Sequence, residues 1–168
     1  FPKSLGGPFL CSFFSFFSLA NKVTLKLEET WGDFDYKKTI VDGNYLYIAS
    51  DGVVVLDIST PSTPVKVTKI RIQLDSQTTE LQKVNNHLFA MTKDALFILD
   101  IADLEAPHVL SIIPNAGPSE WQEFVVKDDN LYIVSSGYEN NDTEINVYDI
   151  ANISSPEQIK QQTITDTQ

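Results

Sequence analysis

The stretch "GVVVLDISTPSTPVKV", residues 52–67, determines the predicted fold because it places two strand-like runs on either side of a Ser/Thr/Pro turn. The run 53–56 is continuously apolar, as is typical of a strand buried on both faces. Asp57 stands where this strand ends, and its carboxylate can accept backbone N–H bonds from residues such as Ser59, as in an Asx turn. Pro64 fixes φ where the chain enters the next, outer strand.

The same pattern occurs three times along the chain. The segments that begin at Asn44, His87 and Asn130 superpose, and from Asp to Pro each spans seven residues (64−57, 107−100, 156−149). From that Pro to the leucine of the next repeat is 24 residues in both cases (88−64, 131−107). This fixed spacing predicts structural roles for the Asp and Pro anchors, which are Asp57, Asp100 and Asp149, and Pro64, Pro107 and Pro156.

Each repeat contains four strand-like pieces, which in the third repeat are residues 123–126, 131–135, 145–150 and 157–164. They are rich in Val, Ile, Tyr and Phe and are bounded by turn residues. Four antiparallel strands that recur every 40 to 50 residues or so are typical of a β-propeller blade. A β-sandwich also has short strands, but it would not repeat its anchors. We therefore predict an all-β domain over 21–168, with three full blades at about 36–72, 78–113 and 121–165.

One further segment, residues 23–29, resembles the outer strand of a preceding blade. Propellers close with about four to eight blades, so three blades and one extra outer strand predict an incomplete ring. Two explanations remain open. Either a longer parent chain ends with strands that pair with 23–29, or open arcs associate with one another through exposed blade faces and edges.

The first twenty residues, "FPKSLGGPFLCSFFSFFSLA", differ from the rest of the chain. One lysine precedes an apolar run from Pro8 to Ala20 that ends in a small-x-small sequence, which predicts a secretory signal peptide. The alternative is a hydrophobic leader without that role. The run is shorter than the roughly 20 apolar residues that span a bilayer. Lipid attachment at Cys11 is disfavoured by the bulky Leu10, and cleavage after Ala20 would remove the only cysteine, leaving no disulfide.

The repeat stretches resemble the LVIVD-repeat family of β-propeller proteins. "VVVLDISTPSTP" and "LFILDIADLEAP" follow its pattern, and "INVYDIANISSP" is similar but more loosely, with the polar residues Asn146 and Tyr148 in its strand. "YLYIAS" and "NLYIVSS" match the preceding strand, so the resemblance covers about residues 38–165. It implies an extracytoplasmic protein that is secreted, periplasmic or at the cell surface, and it implies no shared catalytic residue or cofactor.

The charge of the chain bears on its partners. Lys and Arg total 12 against 23 Asp and Glu, which gives a net charge of −11. A nucleic acid requires cationic contacts, so nucleic-acid binding is disfavoured, as is binding to an anionic membrane surface. We expect no membrane insertion after removal of the leader. Self-association through open blade edges remains an expectation.

Loop lengths vary on only one face of the predicted blades, which carries the connectors from second to third strand and from one blade to the next. Function tends to lie on loops held by a rigid scaffold. Exposed aromatic residues with polar neighbours suit contact with a protein or a glycan. The predicted binding residues on this face are Tyr36, Glu120, Trp121, Tyr138, Asn140 and Asp142.

Several of these residues have simpler interpretations. Trp121 can cover the core near the ring axis, and the acidic insertion 137–144 can be a solvated loop. Asn140, Asp142 and Glu144 offer oxygen ligands to Ca²⁺, but their spacing fits no EF-hand loop, so we predict no metal site. The sequences Asn141-Asp142-Thr143 and Asn152-Ile153-Ser154 fit the N-glycosylation pattern.

The sequence contains no G-x-S-x-G elbow, H-E-x-x-H pair, C-x-x-C motif or phosphate-binding glycine loop. His87 and His108 fall at turns of the fixed-length face. Lys38, Glu80 and Glu123 occupy equivalent inner-strand positions, where two carboxylates can line a polar channel or form a catalytic pair as in glycosidases. We predict a non-catalytic, cofactor-free module for protein or glycan binding within a larger surface protein. The alternatives are a self-assembling arc and, less favoured, a propeller hydrolase.

Overall fold

The computed structural model describes residues 36–72, 77–117, 119–136 and 142–165. They form three four-stranded antiparallel sheets, each with its strands in chain order. The leader, the segment 23–29 and the site residues Tyr138 and Asn140 lie outside the described residues. No helix in the described ranges is long and apolar enough to cross a membrane.

Each sheet is an up-and-down meander, the form of a propeller blade. Blade 1 contains β1 (Thr39–Asp42), β2 (Tyr45–Ser50), β3 (Gly52–Asp57) and β4 (Val65–Ile70). Blade 2 contains β5 (Thr78–Val84), β6 (His87–Thr92), β7 (Ala95–Asp100) and β8 (His108–Pro114). Blade 3 contains β9 (Glu120–Lys127), β10 (Asn130–Ser136), β11 (Thr143–Asp149) and β12 (Glu157–Ile164). The fold class that the repeat predicts is confirmed.

The ends of three strands of blade 3, β9, β10 and β11, differ from the sequence prediction. The strand predicted at 123–126 runs from Glu120 to Lys127, because polar residues continue the pairing with β10 beyond the apolar stretch. The strand predicted to end at residue 150 ends at Asp149. The N–H of Ile150, one residue past the strand, donates to the Asp129 carbonyl (2.8 Å) in the hairpin between β9 and β10.

The core lies between the blades. One cluster joins blades 1 and 2 and includes Tyr47 and Phe97, and a second joins blades 2 and 3 and includes Phe89 and Phe124, whose ring centroids are 6.4 Å apart. Successive residues of a strand point to opposite faces. Blade 2 is covered on both sides, so β6 and β7 are apolar at nearly every position.

The repeated aspartates form the turns that follow the third strands. Oδ1 of Asp57 accepts from the N–H of Ser59 (2.7 Å), that of Asp100 from Ala102 (2.8 Å), and that of Asp149 from Ala151 (2.8 Å). These are Asx turns, in which a side chain replaces a backbone carbonyl. The repeated prolines lie immediately before β4, β8 and β12.

Every outer strand carries a β-bulge at the same repeat position. The register shifts between Val55 and Leu56, between Ile98 and Leu99, and between Val147 and Tyr148, which leaves one extra residue on the outer strand each time. That residue is Val67, Leu110 or Ile159. A bulge bends its strand and increases the local twist, and the sequence pattern does not indicate it.

Candidate functional site

The predicted binding residues that the structure describes lie at the variable-loop ends of the blades. Ser136 of β10 pairs with Glu120 on one side and Thr143 on the other, so these strand ends are neighbours. Glu120 is exposed, and Asp142, the residue before β11, is half-buried. The structure therefore brings Glu120 and Asp142 to one end of blade 3.

Trp121 lies beside this pair but is only partly accessible. It pairs with Ser135 in β10 and packs against the apolar cluster between blades 2 and 3. Its repeat equivalent in blade 2, Thr78, is fully buried, and the equivalent in blade 1, Tyr36, is half-buried. Tyr36 lies on the same variable-loop face as Trp121. It belongs to blade 1, however, so it is not part of the group formed by Glu120, Trp121 and Asp142 at the end of blade 3.

Hydrogen bonds fix the connector that leads into blade 3. The side-chain amide of Asn115 donates to the carbonyls of Lys93 (3.2 Å) and Ser119 (3.0 Å). The Ser119 hydroxyl donates to Oε2 of Glu144 (3.1 Å), which joins the connector to β11. Sequence reasoning did not single out Asn115 or Ser119. The one sequence feature that could have indicated their role is their position just outside strand ends, where polar side chains commonly bond to the backbone.

Because the Glu144 carboxylate accepts from Ser119, part of its acceptor capacity is occupied. Within the described ranges, no three His, Cys, Asp or Glu side chains are grouped so that they could hold a metal ion. Asn140, the other oxygen donor considered from the sequence, is outside those ranges.

A second set of charged groups follows the inner strands. Strand β5 lies against both β1 and β9, and Nζ of Lys38 is 2.9 Å from Oε2 of Glu80. The hydrogen bond and charge of Glu80, with a smaller effect from Glu123, raise the pKa of the Lys38 ammonium, and desolvation opposes them. The three equivalent positions therefore hold one cation and two carboxylates, with Glu80 on the middle blade. Glu123 itself is exposed.

Clefts open on the opposite face, where the turns have fixed length. A cleft of about 450 Å³ between blades 1 and 2 is lined by Asp42 and Lys83, among others, and Lys83 is bound to Asp42 at 2.6 Å. A smaller cleft of about 230 Å³ between blades 2 and 3 includes His87 and Asp128. Sequence reasoning treated this face as architectural, and nothing in its residue pattern predicted the clefts.

The fold defines a chain built from β-propeller blades. The sequence model of the family described as LVIVD repeat matches residues 37–70, which span β1 to β4. Blade 1 therefore matches the LVIVD repeat model, which confirms the resemblance seen in the sequence. No curated protein matches the chain in sequence.

Two solved structures are similar to the chain. One is the N-terminal domain of Nup159, with 16% identity and a TM-score of 0.47, covering 79% of this chain and 32% of that one. The other is the complex of S. cerevisiae Dbp5 with Nup159, Gle1, IP6 and ADP, again with 16% identity and a TM-score of 0.47, over 79% and 31% of the respective chains. The chain thus spans about a third of the length of these structures. Likeness at this level carries no conclusion about function.

Proposed function

We propose that the chain is a non-catalytic, extracytoplasmic propeller module that binds a protein or glycan through the variable-loop end of blade 3. The observation that carries the proposal is the grouping of Glu120, Trp121 and Asp142 at one sheet end. The aromatic residue supplies contact area, and the two carboxylates supply hydrogen-bond acceptors, a combination that suits peptide amides or sugar hydroxyls.

The surroundings of this end support binding because they are fixed before a ligand arrives. Asn115 ties the connector to the turn between β6 and β7, Ser119 ties it to β11, and Trp121 packs against the core cluster between blades 2 and 3. A site held in this way loses little conformational entropy when it binds, which favours affinity. The non-catalytic part of the proposal is supported by the environment of Glu80, whose carboxylate forms an ion pair with Lys38.

The binding proposal is tested by fluorescence of Trp121. The chain contains two tryptophans, so Trp31→Phe leaves Trp121 as the only one. This variant is titrated with two probe sets, soluble oligosaccharides of glucan, mannan, chitin and peptidoglycan, and peptides selected from a phage-displayed library. We expect saturable quenching by at least one probe, with an affinity about tenfold lower after Glu120→Gln.

The matched control is Glu157→Gln, an exposed glutamate at the start of β12, near the fixed-turn end of the same blade. It should leave the affinity unchanged. If neither probe set quenches Trp121, or if both glutamate variants weaken binding equally, the proposed site is wrong.

The extracytoplasmic location rests on the leader and on the family resemblance, and it needs its own test. Fusing residues 1–35 to alkaline phosphatase, which is active only after export, should give phosphatase activity in intact bacteria. Replacing Phe13 and Phe14 by Asp interrupts the apolar run and should abolish that activity. Equal activity of the two fusions would contradict a signal function.

A further inference from the structure

Negative charge is concentrated in the second half of the chain. Residues 94–168 contain 14 of the 23 acidic side chains and only 2 of the 12 basic ones, which are Lys127 and Lys160. Lys127 ends β9 at the fixed-turn end of blade 3. Lys160 pairs with Val147, close to the end of β11 on that same side. Neither lysine therefore lies at the variable-loop end of blade 3.

Three carboxylates lie at that variable-loop end. Glu120 is exposed, and Asp142 and Glu144 are half-buried. The basic residue in the nearby turn of blade 2, Lys93, is paired with Asp94, with 2.9 Å between Nζ and Oδ1. The described carboxylates are not grouped so that they could hold a metal ion. Their charge therefore favours an organic cation as the ligand.

One row of side chains at this end combines an aromatic ring, a hydroxyl and a carboxylate. Trp121 of β9 pairs with Ser135 of β10, which pairs with Glu144 of β11. Residues paired across antiparallel strands project from the same face of the sheet, and the packing of Trp121 shows that this face is directed towards blade 2. Ser119 uses one acceptor position of Glu144. A carboxylate has about four such positions, so Glu144 can also accept from a ligand.

The middle residue of the row is a buried hydroxyl without a partner. Ser135 is 1% exposed, and its Oγ has no hydrogen-bond partner within the described ranges. The equivalent residue of blade 2, Thr92, is satisfied locally, since its Oγ1 donates to the Ala95 carbonyl (3.1 Å). The blade 1 equivalent, Ser50, is also unpaired, but its neighbour on β3 is Gly52, which offers no carboxylate. An unpaired buried hydroxyl lowers stability, so a donor that enters the row of blade 3 gains a hydrogen bond there.

We propose that the variable-loop end of blade 3 binds a protein partner through a lysine or arginine side chain, which is held by Trp121, Ser135 and Glu144. An ammonium or guanidinium group is attracted to the face of an indole ring. It donates strong hydrogen bonds to a carboxylate and further bonds to a hydroxyl. Glu120 and Asp142 add an attractive field that speeds the approach of a basic partner. This inference rests on the proposed function and deepens it, because it selects a basic protein over a neutral glycan.

The test uses the full chain with Trp31→Phe, in which Trp121 is the only tryptophan, and peptides of alternating glycine and lysine. The matched probe is the same peptide with every lysine acetylated, which keeps the length and removes the charge. We expect the lysine peptide to quench Trp121 saturably, with an affinity at least about tenfold higher than that of the acetylated peptide. Added salt should weaken the binding of the lysine peptide, because it screens the charges.

Three further variants locate the cation. Glu144→Gln keeps an acceptor for Ser119 but removes the charge, and it should weaken binding of the lysine peptide about tenfold. Ser135→Ala should weaken binding about threefold. It should not lower the melting temperature, because the hydroxyl has no described partner in the free chain. Glu157→Gln, at the fixed-turn end of the same blade, is the control for general attraction to an acidic surface and should leave the affinity unchanged.

Several results would overturn this inference. They are equal affinity for the lysine and acetylated peptides, equal losses in Glu144→Gln and Glu157→Gln, and unchanged affinity in Ser135→Ala. Quenching only by a neutral oligosaccharide or neutral peptide, in a manner that depends on Glu120, would also overturn it while leaving the proposed function intact. The absence of quenching by any probe would overturn both.

Discussion

The side-chain amide of Gln82 binds the backbone of Val126 in the next blade through two hydrogen bonds. Its Nε2 donates to the Val126 carbonyl (3.0 Å), and its Oε1 accepts from the Val126 N–H (2.8 Å). The amide thus pairs with β9 as a peptide group would, and it satisfies a donor and an acceptor on the inner edge of blade 3. One side chain therefore fixes the position of β9 along β5.

Replacing Gln82 by Leu should lower the free energy of unfolding by about 1–3 kcal/mol, because it leaves the Val126 N–H and carbonyl unpaired in a partly buried place. Urea denaturation followed by circular dichroism measures the change. Gln158→Leu is the control, since Gln158 is exposed and its amide donates to the side chain of Asn146 within the same blade. Equal losses for the two variants would show that the contact between β5 and β9 has no special role.

The ion pair of Lys83 and Asp42 should stabilise the joint between blades 1 and 2. The Lys83 side chain is only 17% exposed, and its Nζ also donates to the Asn85 carbonyl (2.5 Å). Lys83→Met should therefore cost about 1 kcal/mol, near the upper end for a pair with one exposed partner. Lys93→Met removes a pair with Asp94 in which the lysine is 71% exposed, and it should change stability little. Added salt should lower the free energy of unfolding of the parent chain more than that of Lys83→Met, because salt screens the ion pair. Equal losses for the two proteins would show that the pair is not stabilising.

Gly52 should not tolerate a side chain. Its φ is +86°, and a Cβ there would collide with the Ile70 carbonyl of β4. Gly52→Ala should thus destabilise blade 1 by more than about 1 kcal/mol, through backbone strain and displacement of β4. Gly117→Ala, where a Cβ meets nothing closer than 3.9 Å, is the matched control. Thermal unfolding of both variants gives the comparison, and equal melting temperatures would contradict the collision.

Acid should weaken the turn at Asp57. Hydrogen bonds from Ser59, first of all from its backbone N–H, lower the pKa of the Asp57 carboxyl below its ordinary value of 3.8. A lowered folded-state pKa contributes stability that is fully present above that ordinary value and is lost as the pH falls through the folded-state pKa. Asp57→Asn keeps an acceptor oxygen but does not ionise.

The measurement for Asp57 is the melting temperature of both proteins at several pH values from about 5 down to about 2. The advantage of the parent chain over Asp57→Asn should shrink steadily as the pH falls below about 3.8. A constant difference across that range would mean that ionisation of Asp57 does not contribute.

The sequence predicted the parts of the fold that depend on residue type at fixed spacing. Asp57 and Pro64 define a turn because an Asx turn needs a carboxylate and an outer strand tolerates a missing N–H, and both requirements are local. The contacts of Gln82 and the pairing of Lys38 with Glu80 were not predictable in this way. They depend on how neighbouring blades are rotated, which one strand's pattern does not encode.

In the candidate site too, the sequence predicted the features that depend on local pattern and not the contacts that depend on the folded structure. The variable-loop face followed from loop lengths, and with it the grouping of Glu120 with Asp142. The roles of Asn115 and Ser119 did not follow, because a polar residue beside a strand end can bond to backbone, side chain or water with equal ease. Only the fold determines which of these it meets.

The bulges at Val67, Leu110 and Ile159 bear on how the protein avoids aggregation. An outer strand with regular spacing is a template on which a foreign strand can continue the sheet, and repetition of that step produces fibrils. An extra residue at the same place in β4, β8 and β12 breaks the hydrogen-bond spacing on all three outer edges, and a proline precedes each strand. The repeat thus carries its own safeguard against amyloid growth, copied with every blade.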